Sequence, residues 1–203
     1  NRNKLLKTSD NLEYVKETID IWDRALVQTA QKIAFERKKF IEEIMPYTEK
    51  AQTYLSGGKE KIELNYACGC GVKLDEKFEE NMDKLLKKNI EKDFKLGYTT
   101  IGVHRDDIDI FLNDVEVKNF GSQGQQRTVA LSLKLAELES MFNRTGEYPI
   151  LMLDDVFSEL DAERQARLLK FVDRTQTFIT CTDDKKITGK VFEIASGKII
   201  KQN

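Results

Sequence analysis

An α/β fold is predicted: a parallel sheet with flanking helices, preceded by a mostly helical lobe. Three observations carry it. First, from Gly97 onward apolar strand segments alternate with helical stretches: Ile150-Leu151-Met152-Leu153, a helical stretch at about 161–173, then Thr177-Phe178-Ile179-Thr180. Strand, helix, strand with apolar strands argues for a parallel sheet covered on both faces. Second, the early part of the chain is apolar at Leu12, Val15, Ile19, Trp22, Leu26, Ala30 and Ile33, with Phe40 and Ile44 continuing the stripe. Steps of three and four are the helix period. Third, the texture changes at Gly97, so residues 1–96 are assigned to a helical arm and 97–203 to an α/β half-domain.

The first helix should open at a capping box of Asp10 and Glu13 and end at Pro46. At 1.5 Å per residue such a helix would be roughly 50 Å long. Its seam suits an arm packed on a second helix or an ordinary bundle helix. Ser56-Gly57-Gly58 breaks the chain, and Lys61 to Tyr66 alternates as a strand. Asp75 to Lys95 forms a charged helix in which Lys84, Lys87, Lys88, Lys92 and Lys95 interleave with acids. A solvated face with i,i+4 pairs is expected there, contact with a DNA backbone being the alternative. Ile108 to Leu112 and Val115 to Val117 flank Asn113-Asp114, a hairpin with a two-residue turn. A Gly/Ser/Gln-rich loop then leads into an apolar helix from about 123 to 142, and a short hairpin around Ser196-Gly197 closes the chain.

The bulk numbers narrow the function classes. The chain has 203 residues, is 40% hydrophobic and 33% charged, and carries a net charge of −2. It has no basic excess to announce nucleic acid, so any DNA contact must be local. No apolar run approaches the roughly 20 residues that span a bilayer, and no signal peptide is expected. The sequence opens on Asn-Arg-Asn-Lys rather than Met and is expected to be a fragment. Three cysteines, an odd number, point to a reducing cytoplasm. Cys68-Gly69-Cys70 invites a metal reading, but only Cys181 and His104 remain to complete a four-ligand site, at no recognised spacing. Free thiols are expected.

Two segments carry chemistry. At Asp154-Asp155, two carboxylates follow an apolar strand, at the end where open α/β sheets bind ligands. In P-loop NTPases an acid in that place helps hold Mg²⁺, and a second can orient the attacking water. A strand ending in a polar turn reads the same residues without chemistry. Phe120-Gly121-Ser122-Gln123-Gly124-Gln125-Gln126-Arg127-Thr128 is the second segment. Ser122 and Gln125 make a capping box, and the free N–H groups at a helix start form an anion site. A plain helix start is the alternative.

In combination the two are more specific. Ser122-Gln123-Gly124-Gln125-Gln126-Arg127, then the strand with Asp154-Asp155, then Ser158-Glu159-Leu160-Asp161 is the order of an ABC-type ATPase head: signature loop, Walker B and D-loop. The wording resembles the RecF family of DNA-repair ATPases, within the ABC/SMC superfamily. Gly102-Val103-His104-Arg105-Asp106-Asp107 resembles that family's Gly-Pro-His-Arg-Asp-Asp, with Val103 in place of proline. The resemblance is strong over residues 97–182 and permissive over 1–96. It implies that Asp154 coordinates Mg²⁺ and that Asp155 is the catalytic carboxylate. Most ABC ATPases have glutamate there, and the shorter aspartate implies an indirect hold on water and slow turnover. Ser122, Gln123, Gly124 and Gln125 would contact the γ-phosphate of ATP on the opposite protomer, with Asp161 at the dimer interface and as a helix N-cap. Thr182 would stand where such heads often carry a histidine, while His104 reads as a structural histidine.

No segment matches G-x-x-x-x-G-K-S/T, so this chain alone should not bind ATP tightly. Resemblance implies a DNA repair mediator that dimerises on ATP, grips gapped DNA, has RecR and RecO as partners, and promotes RecA loading. An SMC-like head and a non-hydrolysing structural interaction module are the competing readings.

Overall fold

The computed structural model describes residues 2–182 and 189–202. In chain order the elements are α1 (Arg2–Thr8), α2 (Leu12–Thr18), α3 (Asp20–Ser56), β1 (Ile62–Ala67), α4 (Phe78–Leu96), β2 (Asp107–Leu112), β3 (Val115–Glu116), α5 (Val117–Phe120), α6 (Gln123–Thr145), β4 (Leu151–Leu153), α7 (Ala162–Val172), β5 (Thr177–Ile179), β6 (Phe192–Ala195) and β7 (Lys198–Gln202). Sheets run β1-β2-β3, β4-β5 and β6-β7. No helix among the described residues is long and apolar enough to cross a membrane. Packing divides the chain into two compact units, residues 1–43 with 64–110 and residues 44–63 with 111–203. The sequence boundary at 96/97 is thus one of composition, whereas each packed unit draws on both sides of it.

The first unit is built on two helices. Val27, Ala30 and Ala34 of α3 bury against Phe78, Met82 and Leu86 of α4, with Cys70 and Val72 closing the cluster. A second cluster joins Leu6, Val15, Ile19 and Ile90. The helix cap lies one residue later than the sequence predicted. Asn11, not Asp10, is the N-cap, its side chain accepting from the Tyr14 N–H at 3.2 Å. The helix is also broken at Ile19, where Trp22 N–H reaches back to the Ile19 carbonyl. Trp22 and Phe40, expected on the buried stripe, are 44% and 40% exposed, whereas Asp23 is buried. The charged helix behaves as expected: Lys84–Glu80 and Lys87–Asp83 form i,i+4 pairs on α4.

Pro46 does not end α3; it lies inside it. A mid-helix proline costs about 3 kcal/mol. Ile44, Thr48, Ala51 and Leu55 are all buried along the same face. At roughly 1.5–3 kcal/mol per fully buried large aliphatic side chain, burial outweighs the missing hydrogen bond. Helix α3 instead ends at Gly57, φ +69°, a left-handed conformation. The Arg167 guanidinium lies where a Cβ at Gly57 would sit, and it donates to the Leu55 carbonyl at 2.9 Å. A cation on the last carbonyls of a helix is the favourable sign for its dipole.

In the second unit, Asn113 and Asp114 take the two positive-φ positions of the hairpin turn, with Leu112 paired to Val115. Strand β4 pairs in parallel with β5, Leu151↔Thr177 through Leu153↔Ile179. The core joins Leu131 and Leu135 of α6 and Leu168 and Val172 of α7 with Leu153, Ala51, Leu55 and Leu160. The expected flanking helices are present, and among the described residues they cover one face of this sheet. Met152 is 78% exposed and Phe178 53%. Side chains alternate faces along a strand, and the described helices supply core residues only to the Leu151/Leu153 side.

Candidate functional site

Strand β4 delivers Asp154 and Asp155 just past Leu153, its last and buried residue. Both aspartates are exposed. Thr180, one residue past β5, is held in register by its N–H on the Leu153 carbonyl at 3.0 Å. Its hydroxyl donates to Asp154 Oδ1 and accepts from the Asp155 N–H, the latter at 2.9 Å. Asp155 itself sits in the left-handed region, φ 46° and ψ 28°. That conformation is uncommon outside glycine, though aspartate tolerates it better than most residues. Ser158, in the following 3₁₀ turn, donates to Asp155 Oδ2 at 2.8 Å. The two carboxylates therefore have different partners: a threonine orients one, a serine the other.

The loop before α6 forms its own cluster. Ser122 Oγ accepts from the Gln125 N–H at 3.3 Å, and Gln125 Oε1 accepts from the Ser122 N–H at 3.0 Å, so the expected capping box is present in full. The Gln125 side-chain amide then donates to Glu60 at 3.1 Å. The other oxygen of Glu60 accepts from Gln52 at 2.8 Å, and Gln52 accepts from Ser132 at 2.7 Å. Gln52 and Ser132 are fully buried, which makes this chain a rigid tether from the loop into the core. It also commits Gln125 to structure at both ends of its amide. The N–H groups of Gln123 and Gly124, first in the helix, have no intrahelical acceptor and point outward, as at any anion-binding helix start. Gln123 is exposed, and nothing lies within 4 Å of a Cβ placed at Gly124. The loop and the aspartates share no hydrogen bond among those described. They share the hydrophobic core through Leu131, Leu135 and Leu153.

Comparison with known proteins settles the family. No family model matches the chain. The DNA replication and repair protein RecF of Ruminiclostridium cellulolyticum is 40% identical over 208 residues, spanning 98% of this chain, and that of Lactococcus lactis subsp. cremoris MG1363 is 42% identical over 207 residues. A solved structure of the recombination mediator protein RecF with ATP, in the RecFOR pathway, superposes with a TM-score of 0.81 at 34% identity over the whole of this chain. The chain belongs to the RecF family. It spans about half the length of the curated relatives it matches, 56% and 55% in these two cases.

Other residues of this RecF-family chain find varied places. Asp161 caps α7, accepting from the Arg164 N–H at 2.8 Å and pairing with its guanidinium at 2.7 Å. The backbone N–H of Arg164 is the main reason the Asp161 carboxyl is held below the usual aspartate range. A depressed pKa means that the cap is fully present above the ordinary aspartate pKa of about 3.9 and lost as pH falls through the lowered value. Asp161→Ala should cost about 1 kcal/mol locally, with exchange of the Arg164 amide about fivefold faster at pH 7 and the difference shrinking in acid. Thr182 is exposed two residues beyond Thr180, and it is Thr180 whose hydroxyl meets the aspartates. His104 is exposed in a 3₁₀ turn. Its neighbour Asp106 is the buried member of that motif, its side chain 3% exposed and bonded to Arg37 at 2.7 Å, to the Gly69 N–H at 2.9 Å and to the Tyr66 hydroxyl. Burial and that contact push the Tyr66 phenol well above its ordinary pKa. Sequence reading missed Thr180, Glu60 and Gln52. Thr180 closed the strand recognised at 177–180, and Thr182 was chosen in its place.

Proposed function

We propose that this chain carries the water-activating and signature-loop half of a recombination-mediator ATPase, which closes on gapped DNA when ATP joins two protomers. The observation supporting it most is the differentiated aspartate pair at the end of β4, in a chain about 40% identical to RecF proteins. Mg²⁺ takes oxygen donors and keeps several waters, needing only one or two carboxylates beside substrate phosphates. The exposed Asp154 carboxylate and the Thr180 hydroxyl are donors of that class, so these residues fit the ion. When bound, it neutralises charge on the transferring phosphate oxygens. Asp155 is the residue that accepts from the attacking water. With Oδ2 taken by Ser158, Oδ1 is the atom left for that task. Aspartate reaches one methylene less far than glutamate, which suits slow turnover, a switch rather than a motor. Gln123, Gly124 and the Ser122 hydroxyl meet the γ-phosphate of the opposite protomer in this reading, which is supported by Gln125 holding the loop. RecO and RecR are the partners, and RecA loading is the outcome.

The test uses the full-length protein and a fluorescent gapped duplex. Affinity should rise at least tenfold with ATP and fall back as ATP is consumed, with a dimer seen by light scattering only in the ATP-bound state. Equal affinity with and without ATP would remove the clamp reading and favour a nucleotide-independent interaction module.

A further inference from the structure

The Cys68-Gly69-Cys70 turn is not used by the chemistry above, and its geometry is that of a closed dithiol. The two sulfurs are 2.9 Å apart. Both cysteines are free thiols; Cys68 is half-buried, whereas Cys70 is 7% exposed and packs in the α3–α4 core. A disulfide is about 2.05 Å long, so the sulfurs need to approach by less than about 1 Å. Three contacts hold the turn in this shape. The Gly71 N–H donates to the Cys68 carbonyl at 2.9 Å, and the Gly69 N–H donates to Asp106 Oδ1 at 2.9 Å. The Arg105 backbone also lies 2.1 Å from where a Cβ at Gly69 would stand, which excludes every other residue from that position.

We propose that Cys68 and Cys70 form a reversible dithiol–disulfide site that reacts with small-molecule disulfides, Cys68 as the attacking sulfur and Cys70 as the resolving one. In the first step the Cys68 thiolate attacks one sulfur of the small disulfide. A mixed disulfide forms on Cys68, the original S–S bond breaks, and one small thiolate leaves. In the second step Cys70 gives up its proton and attacks Cys68 Sγ, forming the Cys68–Cys70 bond and expelling the second small thiolate. Two electrons pass from the protein dithiol to the small disulfide, and the two protons leave with the two thiols produced. The roles follow from access. Only Cys68 can be reached from solvent, and burial pushes the Cys70 thiol up to about 12, so Cys70 keeps its proton until Cys68 is in the mixed disulfide beside it. Cys181, half-buried and without a thiol partner among the described residues, serves as the internal control.

The test is incubation of the reduced full-length protein with glutathione disulfide, followed by intact mass and peptide mapping. Wild type should lose two hydrogens, with the linkage mapped to residues 68–70 and restored by dithiothreitol. Cys70→Ala should instead stop at one glutathionyl adduct on Cys68, and Cys68→Ser should leave Cys70 unmodified; circular dichroism checks that each variant is folded. Wild type alone decides if a variant fails to fold. A persistent adduct on Cys68 without loss of the Cys70 thiol, or reaction at Cys181 only, or no reaction, overturns the proposal.

Discussion

In the full-length protein, Asp155→Asn should lower ATP turnover about 10²–10⁴-fold while leaving ATP binding nearly unchanged, the range spanned by loss of a positioned general base. An amide at this position keeps the size of the side chain and can still accept from Ser158, so the turn at residues 156–159 should survive. What it loses is the negative charge and basicity that the proposed role in activating water requires. Asp154→Asn is expected to differ in kind. It weakens the magnesium dependence of ATP binding, because its carboxylate is the one paired with the Thr180 hydroxyl rather than with Ser158. Thr180→Val removes the group that orients Asp154 and accepts from the Asp155 N–H, so it should raise the magnesium concentration needed for half-maximal rate. Single-turnover hydrolysis across a magnesium titration separates the three. Unchanged turnover in Asp155→Asn would remove the hydrolytic role of this pair.

What was legible in advance was local. The Ser122–Gln125 capping box and the Asp161 cap are contacts between residues three apart, and the Asn113-Asp114 turn is a two-residue signal, so each could be read without knowing the fold. Hidden from sequence were contacts between distant residues. Gln125 reaches Glu60 across 65 positions, Ser132 reaches Gln52 across 80, and Arg37 reaches Asp106 across 69. No periodicity announces such pairs. Pro46 misled for a related reason: its penalty is local, whereas the burial that overrides it depends on packing partners in other elements. The apolar stripe of α3 failed where a charged residue, Asp23, took a buried position. Only its partner from α1 explains that placement.

That partner supplies the largest expected stability effect. Arg2 is 6% exposed and pairs with Asp23 at 2.6 Å and Asp93 at 2.7 Å, while also donating to Thr99 at 2.8 Å. Asp93 has further support from the Thr100 N–H at 2.9 Å and the Thr100 hydroxyl, so it keeps partners if Arg2 is lost. Asp23 does not: its Oδ2 is buried with no hydrogen-bond partner among the described residues. Burial already pushes the Asp23 carboxyl above the usual range, with Arg2 pulling it down and burial winning. Arg2→Met should therefore cost about 3–5 kcal/mol, the price of one uncompensated buried charge. The sign of its pH dependence follows. Without Arg2 the folded-state pKa of Asp23 rises further, so its ionised form is penalised at neutral pH, and that penalty is relieved as pH falls through the raised value. The loss in melting temperature of Arg2→Met against wild type should be largest near pH 7 and smaller near pH 5. Adding Asp23→Leu should recover part of the loss, because it removes the orphaned Asp23 charge while Asp93 keeps its bonds to Thr100. If the losses of Arg2→Met and Asp23→Leu simply add in the double variant, the two side chains do not act as a pair and the buried cluster is packing rather than electrostatics.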